Sequence, residues 1–175
     1  SSDGYGNNTE GQSPNAGVPP YVTSSSAGAS HGSIGTVGHN SPSIIDSSGI
    51  EFYVRPTYGN QNQPSEKGSK SGNAYGANGK NGGGYIKITT TDTLTLDGEI
   101  RSKGLNGMNS PAQSYFGSGG GSGGSIWIIT NIFNGSGSLI ATGGNGGGTQ
   151  ISRKGGGGGG GRICVEYTSG NINDI

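Results

Sequence analysis

A glycine run followed at once by an apolar, strand-like segment occurs three times in the second half of the chain. The first copy runs from Gly83 to Gly107, the second from Gly123 to Gly147, and the third from Gly160 to the end. Their starts are 40 and 37 residues apart. Self-similarity at a fixed period indicates a repeat architecture, because each copy is one structural unit.

The copies align at both ends. Ile86, Ile126 and Ile163 correspond, and so do Ile88, Ile128 and Val165. When the alignment of the first two copies is shifted by one residue, further residues also match. These pairs are Gly98–Gly137, Ile100–Leu139, Ser102–Ala141, Gly104–Gly143, Asn106–Asn145 and Gly107–Gly146.

Each full copy contains three short segments with apolar residues in alternation, which predicts strands. The predicted strands are 85–89, 93–96 and 99–102 in the first copy and 125–129, 131–134 and 138–142 in the second. One copy cannot bury its apolar face alone, but stacked copies form a continuous core. We therefore predict an all-β fold: a right-handed parallel β-helix or solenoid-like stack of 37–40-residue glycine-rich repeats, with polyglycine-II-like segments, long loops and no significant helix.

The chain divides into two regions. Residues 1–84 are rich in Ser, Gly, Asn and Pro, with one predicted strand near 49–54, where Ile50, Phe52 and Val54 alternate with polar or aromatic neighbours. Residues 85–175 carry the repeats, and the last coil is incomplete. The chain begins without Met and stops within a coil, so we expect one continuous domain or a fragment of a longer protein. Either the native chain continues beyond this point, or another chain caps the last coil.

The run of seven glycines at 155–161 allows three interpretations. A phosphate-binding loop needs GxxxxGK[ST] between a strand and a helix, whereas here Lys154 precedes the glycines and a strand follows. A flexible linker explains one run but has no reason to recur in register at 82–84 and 119–124. In the third interpretation, glycine lets backbones approach closely and form extended segments that pack side by side. This structural role predicts ordered glycines, with Lys154 and Arg162 as solubilising ends.

Composition excludes several classes of partner. Ten cations balance ten anions, which argues against a nucleic-acid partner. The sequence has no apolar run long enough for a membrane-spanning helix. A single cysteine, Cys164, excludes an internal disulfide framework, so we keep an intermolecular thiol contact as a hypothesis.

Candidate chemical groups are few. Asp92, Asp97 and Glu99 are weak candidates for calcium ligands and weaker ones for catalytic acids, with solvent-facing turn formers as the alternative. The two histidines, His31 and His39, are expected to be scattered surface residues. We predict no catalytic residue, no cofactor and no firm metal site.

Aromatic residues and sequons suggest surface roles. The candidates for an interface or a glycan contact are Trp127, Tyr85, Tyr115 and Phe116. Trp127 should point away from the core if Ile126 and Ile128 point inward, unless a loop covers it. Asn7 and Asn134 each begin an Asn-x-Ser/Thr sequon and are candidate glycosylation sites.

The succession GGGYIKI, LTLDGEIRSKG, GGGSGGSIWI, GSGSLIATGGNGGG and GGGGGGGRICVEY resembles a glycine-rich repeat region of large secreted or surface proteins of bacteria and single-celled eukaryotes. AGASHGSIG at 27–35 resembles its upstream part, so the resemblance covers about 27–168. The chain departs from that region in the sparser glycine of GTVGHNSPS and in Cys164, where a small or apolar residue is expected. The resemblance implies a β-solenoid with a structural or adhesive role and supplies no catalytic residue.

We therefore expect a non-enzymatic extracellular structural protein, a building block of a surface coat, appendage or filament that associates with itself or with other chains. The alternative is an adhesin or glycan-binding module that presents loops on a solenoid. A polysaccharide lyase or hydrolase is a remote third hypothesis.

Overall fold

The computed structural model describes residues 26–36, 38, 57–74, 76–112, 114 and 116–170. Within these residues the fold is strand-rich and contains no α-helix. Its one helical turn is a short 3-10 segment, Ile151–Arg153. The prediction of an all-β chain without significant helix is confirmed at this level. The strand predicted near 49–54 lies outside the described residues.

Eight short strands follow one another in the order that the repeat predicts. They are β1 (Tyr85–Thr89), β2 (Thr93–Thr95), β3 (Glu99–Arg101), β4 (Ser125–Ile129), β5 (Ile132–Asn134), β6 (Ser138–Ile140), β7 (Arg162–Glu166) and β8 (Ser169–Gly170). The first strand of each full copy has the predicted bounds, whereas the second and third are one or two residues shorter than predicted.

The strands pair in parallel across the copies. They form three small sheets, ordered β1-β4-β7, β2-β5-β8 and β3-β6, none of which closes on itself. Ile126 pairs with Ile86 on one side and Ile163 on the other, and Ile100 pairs with Leu139. The pairings thus join the residues that the sequence alignment of the copies had matched, including the one-residue shift.

The apolar core lies mainly on the middle copy. Ile126, Ile128 and Phe133 are fully buried, and Ala141 completes the cluster. Partly buried neighbours pack against it from all three copies; they are Ile88, Leu94, Leu96, Ile100, Leu139 and Val165. The small residues Ala141 and Ser102 are also buried.

Position within a sheet alters the burial of equivalent residues. Ile126 is fully buried, whereas its partner Ile163 in β7 is 43% exposed. β4 has a strand on each side, but β7 is an outer strand of its sheet. The repeat therefore predicts register correctly, while burial depends on whether a further strand covers the copy.

Candidate functional site

The glycine run at 155–161 is held by a regular set of backbone contacts. All seven of its amides donate hydrogen bonds, at donor–acceptor distances between 2.6 and 2.9 Å, and every third amide reaches the same neighbouring segment. The acceptors are Gly147, Gly144 and Ala141 for Gly155, Gly158 and Gly161; Ser26 and Ala29 for Gly156 and Gly159; and the hydroxyls of Thr36 and Ser33 for Gly157 and Gly160. The linker interpretation predicts no such contacts.

A second segment, 118–124, shows the same three-residue period. Its amides donate in turn to three neighbours: residues 102–108, residues 69–72, and the run 155–161. We call 118–124 and 155–161 the inner glycine segments. The segments around them are 26–36, 68–72, 79–83, 102–108 and 141–147, and together all of these form the glycine bundle.

Glycine is required at most positions of the inner glycine segments, because neighbouring backbone occupies the space that a side chain would need. A methyl carbon built on Gly158 would lie 2.0 Å from the carbonyl oxygen of Gly121, and one on Gly120 would lie 2.0 Å from that of Gly144. Real Cβ atoms do not approach that closely, so the inner glycine segments admit no larger residue at these positions without a backbone shift. This is the close approach that the glycine repeat predicted.

Serines complete the hydrogen bonding of the bundle. Ser71 is buried, donates its hydroxyl to the Gly119 carbonyl (2.6 Å) and accepts from the Lys80 amide (2.8 Å). Ser26 likewise donates to Gly72 (2.8 Å) and accepts from Gly119 (2.5 Å). A buried hydroxyl that both donates and accepts replaces the hydrogen bonds to water that it loses on burial.

Residues 26–36 double back on themselves and cover the run 155–161; we call them the 26–36 cap. The amides of Gly32 and Ser33 donate to the Gly160 carbonyl, and that of Thr36 donates to Gly157. The cap lies more than 120 residues from its partner in the sequence. The small-residue block GASHGSIG is the one sequence signal that could have indicated its place in the bundle.

His31 belongs to this cap and is fully buried, so the expectation of a scattered surface residue is wrong for it. Its Nδ1–H donates to the Gly123 carbonyl (2.8 Å), and its ring lies 4.6 Å from that of Tyr58. Burial is the main cause that lowers the pKa of His31. His39 lies outside the described residues.

The two cations that flank the glycine run differ in role. Lys154 is exposed, as expected for a solubilising end. Arg162, by contrast, is half-buried and its Nε–H donates to the Tyr58 carbonyl (2.9 Å). Arg162 therefore ties the start of β7 to the segment 57–66, a contact that the sequence did not predict.

The outer face of the first sheet centres on Trp127. Its neighbours in the β-ladder are Lys87, whose Nζ lies 3.8 Å from the indole centroid, and Cys164. The indole N–H donates to Glu166 Oε1 (2.7 Å). Trp127 is half-buried while Ile126 and Ile128 are fully buried, so the predicted alternation of faces is confirmed.

The other aromatic candidates have different surroundings. Tyr85 begins β1 and is half-buried. Phe116 is only 2% exposed and has the Arg153 guanidinium 4.8 Å from its ring centroid, so it offers no open ring to a glycan. Phe116 is therefore packed inside the structure against Arg153, which contradicts its predicted role as an interface or glycan contact. Tyr115 lies outside the described residues.

The structure gives the acidic candidates separate partners. Asp97 accepts a hydrogen bond from the Ser136 amide (3.3 Å), and Glu99 forms an ion pair with Arg101, which lowers the pKa of that carboxyl. The Asp92 carbonyl accepts from the next copy, at Asn131 and Ile132. No cluster of three or more His, Cys, Asp or Glu side chains suited to a metal occurs among the residues that the structure describes.

Cys164 and the sequons remain as predicted candidates. Cys164 is half-buried, its thiol lies 3.1 Å from the Asn62 carbonyl, and burial raises the pKa of that thiol. Asn134 ends β5 and is half-buried, followed by Gly135 in the left-handed region at a φ of 116°. Asn7 lies outside the described residues.

Comparison with known proteins identifies no relative: no protein-family profile, curated protein or solved structure matches the chain. In the part of the chain that the structure covers, no helix is both long and apolar enough to cross a membrane.

Proposed function

We propose that the chain is a right-handed parallel β-helix, or solenoid-like stack, of 37–40-residue repeats fused to a polyglycine-II-like bundle. The parallel pairings in repeat register support the stack. The three-residue period of hydrogen bonds in both inner glycine segments supports the bundle, because polyproline-II-type backbones have three residues per turn.

We propose further that this protein is a non-enzymatic extracellular structural protein, a building block of a surface coat, appendage or filament. The observation that carries the proposal is the hydrogen bonding of 118–124 and 155–161. All fourteen backbone amides of these two segments donate hydrogen bonds to other segments of the same chain. The recurring glycines thus have a structural role, since their backbones hydrogen-bond the segments to one another. The Asn134 sequon fits an extracellular setting.

The partner in such an assembly is a second copy of the chain. β1 and β7 are the two outer strands of the first sheet, and both run parallel to β4. Suppose that β1 of one molecule pairs with β7 of a second molecule, in the register that the repeat uses within one chain. Ile86 of the first molecule then lies opposite Ile163 of the second, and Ile88 lies opposite Val165. This would continue the apolar ladders and cover the exposed part of Ile163.

Electron microscopy and sedimentation of the purified protein over a range of concentrations test this assembly. We expect elongated oligomers from the wild type. Ile163→Lys, on the outer strand, should abolish them because an edge lysine opposes strand pairing. Ile151→Lys is the matched control, since Ile151 is 80% exposed in the 3-10 turn and belongs to no sheet. A wild type that remains monomeric at every concentration contradicts the proposal.

The alternative of a glycan-binding module rests on Trp127, which is half-buried on the outer face of the first sheet. Lys87 lies on its ring and Glu166 accepts from its indole nitrogen, so a sugar would have to displace the lysine. Glycan binding that is lost in Trp127→Ala but kept in Ile151→Ala would favour this alternative over the structural role.

A further inference from the structure

The 26–36 cap and the run 155–161 satisfy each other's backbone groups. Ser33 and Thr36 each use the amide to donate to the run and the hydroxyl to accept from it, at Gly160 and Gly157 respectively. Opening of the cap would therefore leave both Gly157 and Gly160 without these partners. Whatever holds the cap in place controls how far this glycine run is shielded from water.

His31 connects the cap both to an inner glycine segment and to the segment 57–66. Its Nδ1–H donates to Gly123 in an inner glycine segment, and its backbone carbonyl accepts from the Tyr58 amide (3.1 Å). The side chain is fully enclosed, and its Nε2 has no hydrogen-bond partner among the described residues. A methyl carbon built at Gly59 would lie only 3.5 Å from that nitrogen.

The protonation state follows from this geometry. A carbonyl oxygen only accepts, so Nδ1 carries the proton in the neutral ring and Nε2 is a bare acceptor. A second proton can enter only at Nε2, in an enclosed place without an acceptor. Buried polar groups are normally paired, and a buried cation without a partner is strongly disfavoured.

The charged and titratable groups around the ring come from two elements. Arg162 of β7 opposes a positive imidazolium, while Glu66 of the 57–66 segment favours it. Tyr58, from the same segment, contributes the stacked phenol ring and the carbonyl that accepts from Arg162. Burial is the largest influence, and the net effect is a lowered pKa for His31.

We propose that His31 is a pH-sensitive latch: the neutral ring holds the 26–36 cap on the glycine bundle, and protonation at Nε2 expels the ring and opens the cap. Because the closed state lowers the pKa of His31, the open state binds more protons between the lowered pKa and the ordinary one. The closed state is thus fully favoured above the ordinary pKa of histidine, about 6.5, and loses its advantage as the pH falls below it.

Hydrogen–deuterium exchange of the wild-type chain at pH 7.5 and pH 5.0, corrected for intrinsic exchange rates, tests the latch. Amides of the cap, and those of Gly156, Gly157, Gly159 and Gly160 that donate to it, should lose protection in acid. The loss should be roughly tenfold for each pKa unit by which the closed state lowers the pKa of His31, up to about thirtyfold at pH 5.0, because that pH lies about 1.5 units below the ordinary value. Amides of β4 should keep their protection. Equal protection of these four glycine amides at both pH values would overturn the proposal. A parallel loss in β4 would also overturn it, because it would mean unfolding of the whole domain.

Two variants separate His31 from other titrating groups. His31→Phe keeps an aromatic ring beside Tyr58 but cannot titrate, so the acid-induced loss of protection should disappear. His39→Gln, which removes the only other histidine, should retain it. Persistence of the loss in His31→Phe would assign it to carboxylates and overturn the proposal.

Nuclear magnetic resonance of ring-labelled wild type needs no substitution and decides the case if His31→Phe fails to fold. We expect the Nδ1–H tautomer at neutral pH and a titration midpoint that coincides with cap opening. A ring that titrates like a free histidine while the cap stays closed would overturn the latch.

Discussion

At the scale of single residues, glycines that look equivalent in the sequence differ in how much space lies beside them for a side chain. A methyl group on Gly158 would overlap the Gly121 carbonyl, whereas the nearest atom to one on Gly157 lies 3.7 Å away. We predict that Gly158→Ala lowers the free energy of unfolding by about 1–3 kcal/mol or more, because backbone must shift. Gly157→Ala should be neutral or stabilising by about 0.4–1 kcal/mol through the unfolded state.

Urea denaturation of the two variants measures the difference. The same substitution one residue apart controls for the change in unfolded-chain entropy. Equal stabilities for the two variants would contradict close backbone packing in the run 155–161.

A buried serine offers a second test at this scale. Ser71→Ala removes a hydroxyl that donates to Gly119 and leaves the Lys80 amide without this acceptor. We expect a loss of about 1–3 kcal/mol, the usual cost of an unsatisfied buried group. Ser138→Ala, at an exposed position of β6, is the matched control and should change stability by less than about 0.5 kcal/mol. Chemical denaturation of both variants compares the two positions, and a Ser71→Ala chain as stable as Ser138→Ala would refute the structural role of this hydroxyl.

At the scale of strands and coils, the middle copy carries the apolar core. Phe133 in β5 is fully buried between β2 and β8, so Phe133→Ala should cost about 3–5 kcal/mol of unfolding free energy. Ile151→Ala, at a mostly exposed side chain, should cost less than about 0.5 kcal/mol. Thermal unfolding followed by circular dichroism compares the stabilities of the two variants. A small loss of stability in Phe133→Ala would contradict the assignment of Phe133 to the core.

The same scale shows what the sequence could and could not predict. The pairing of Ile126 with Ile86 and Ile163 was predictable, because both strand alternation and glycine spacing repeat with the copy. The exposure of Ile163 was not, since it depends on the place of β7 at the outside of a sheet. The burial of His31 was equally hidden, because its contact with Gly123 spans 92 residues and GASHGSIG carries no strand or helix periodicity.

At the scale of the whole molecule, backbone hydrogen bonds take over much of the role of an apolar core. Eight hydrophobic residues are buried among those described, and four of them are alanines. The bundle instead buries peptide groups, each paired hydrogen bond adding about 0.5–1.5 kcal/mol net. Stability in this chain thus depends on the completeness of many small contacts.

This balance predicts an unusual heat capacity. Exposure of apolar surface raises the heat-capacity change of unfolding, and exposure of polar surface lowers it. A typical chain of 175 residues has a value of about 2.1–2.6 kcal/mol/K, from about 12–15 cal/mol/K per residue. We expect a value clearly below this range, and hence a flatter dependence of stability on temperature. Differential scanning calorimetry measures it, with a globular domain of similar length and ordinary composition as control. A value within or above the typical range would mean that apolar burial, rather than the glycine bundle, dominates the folded state.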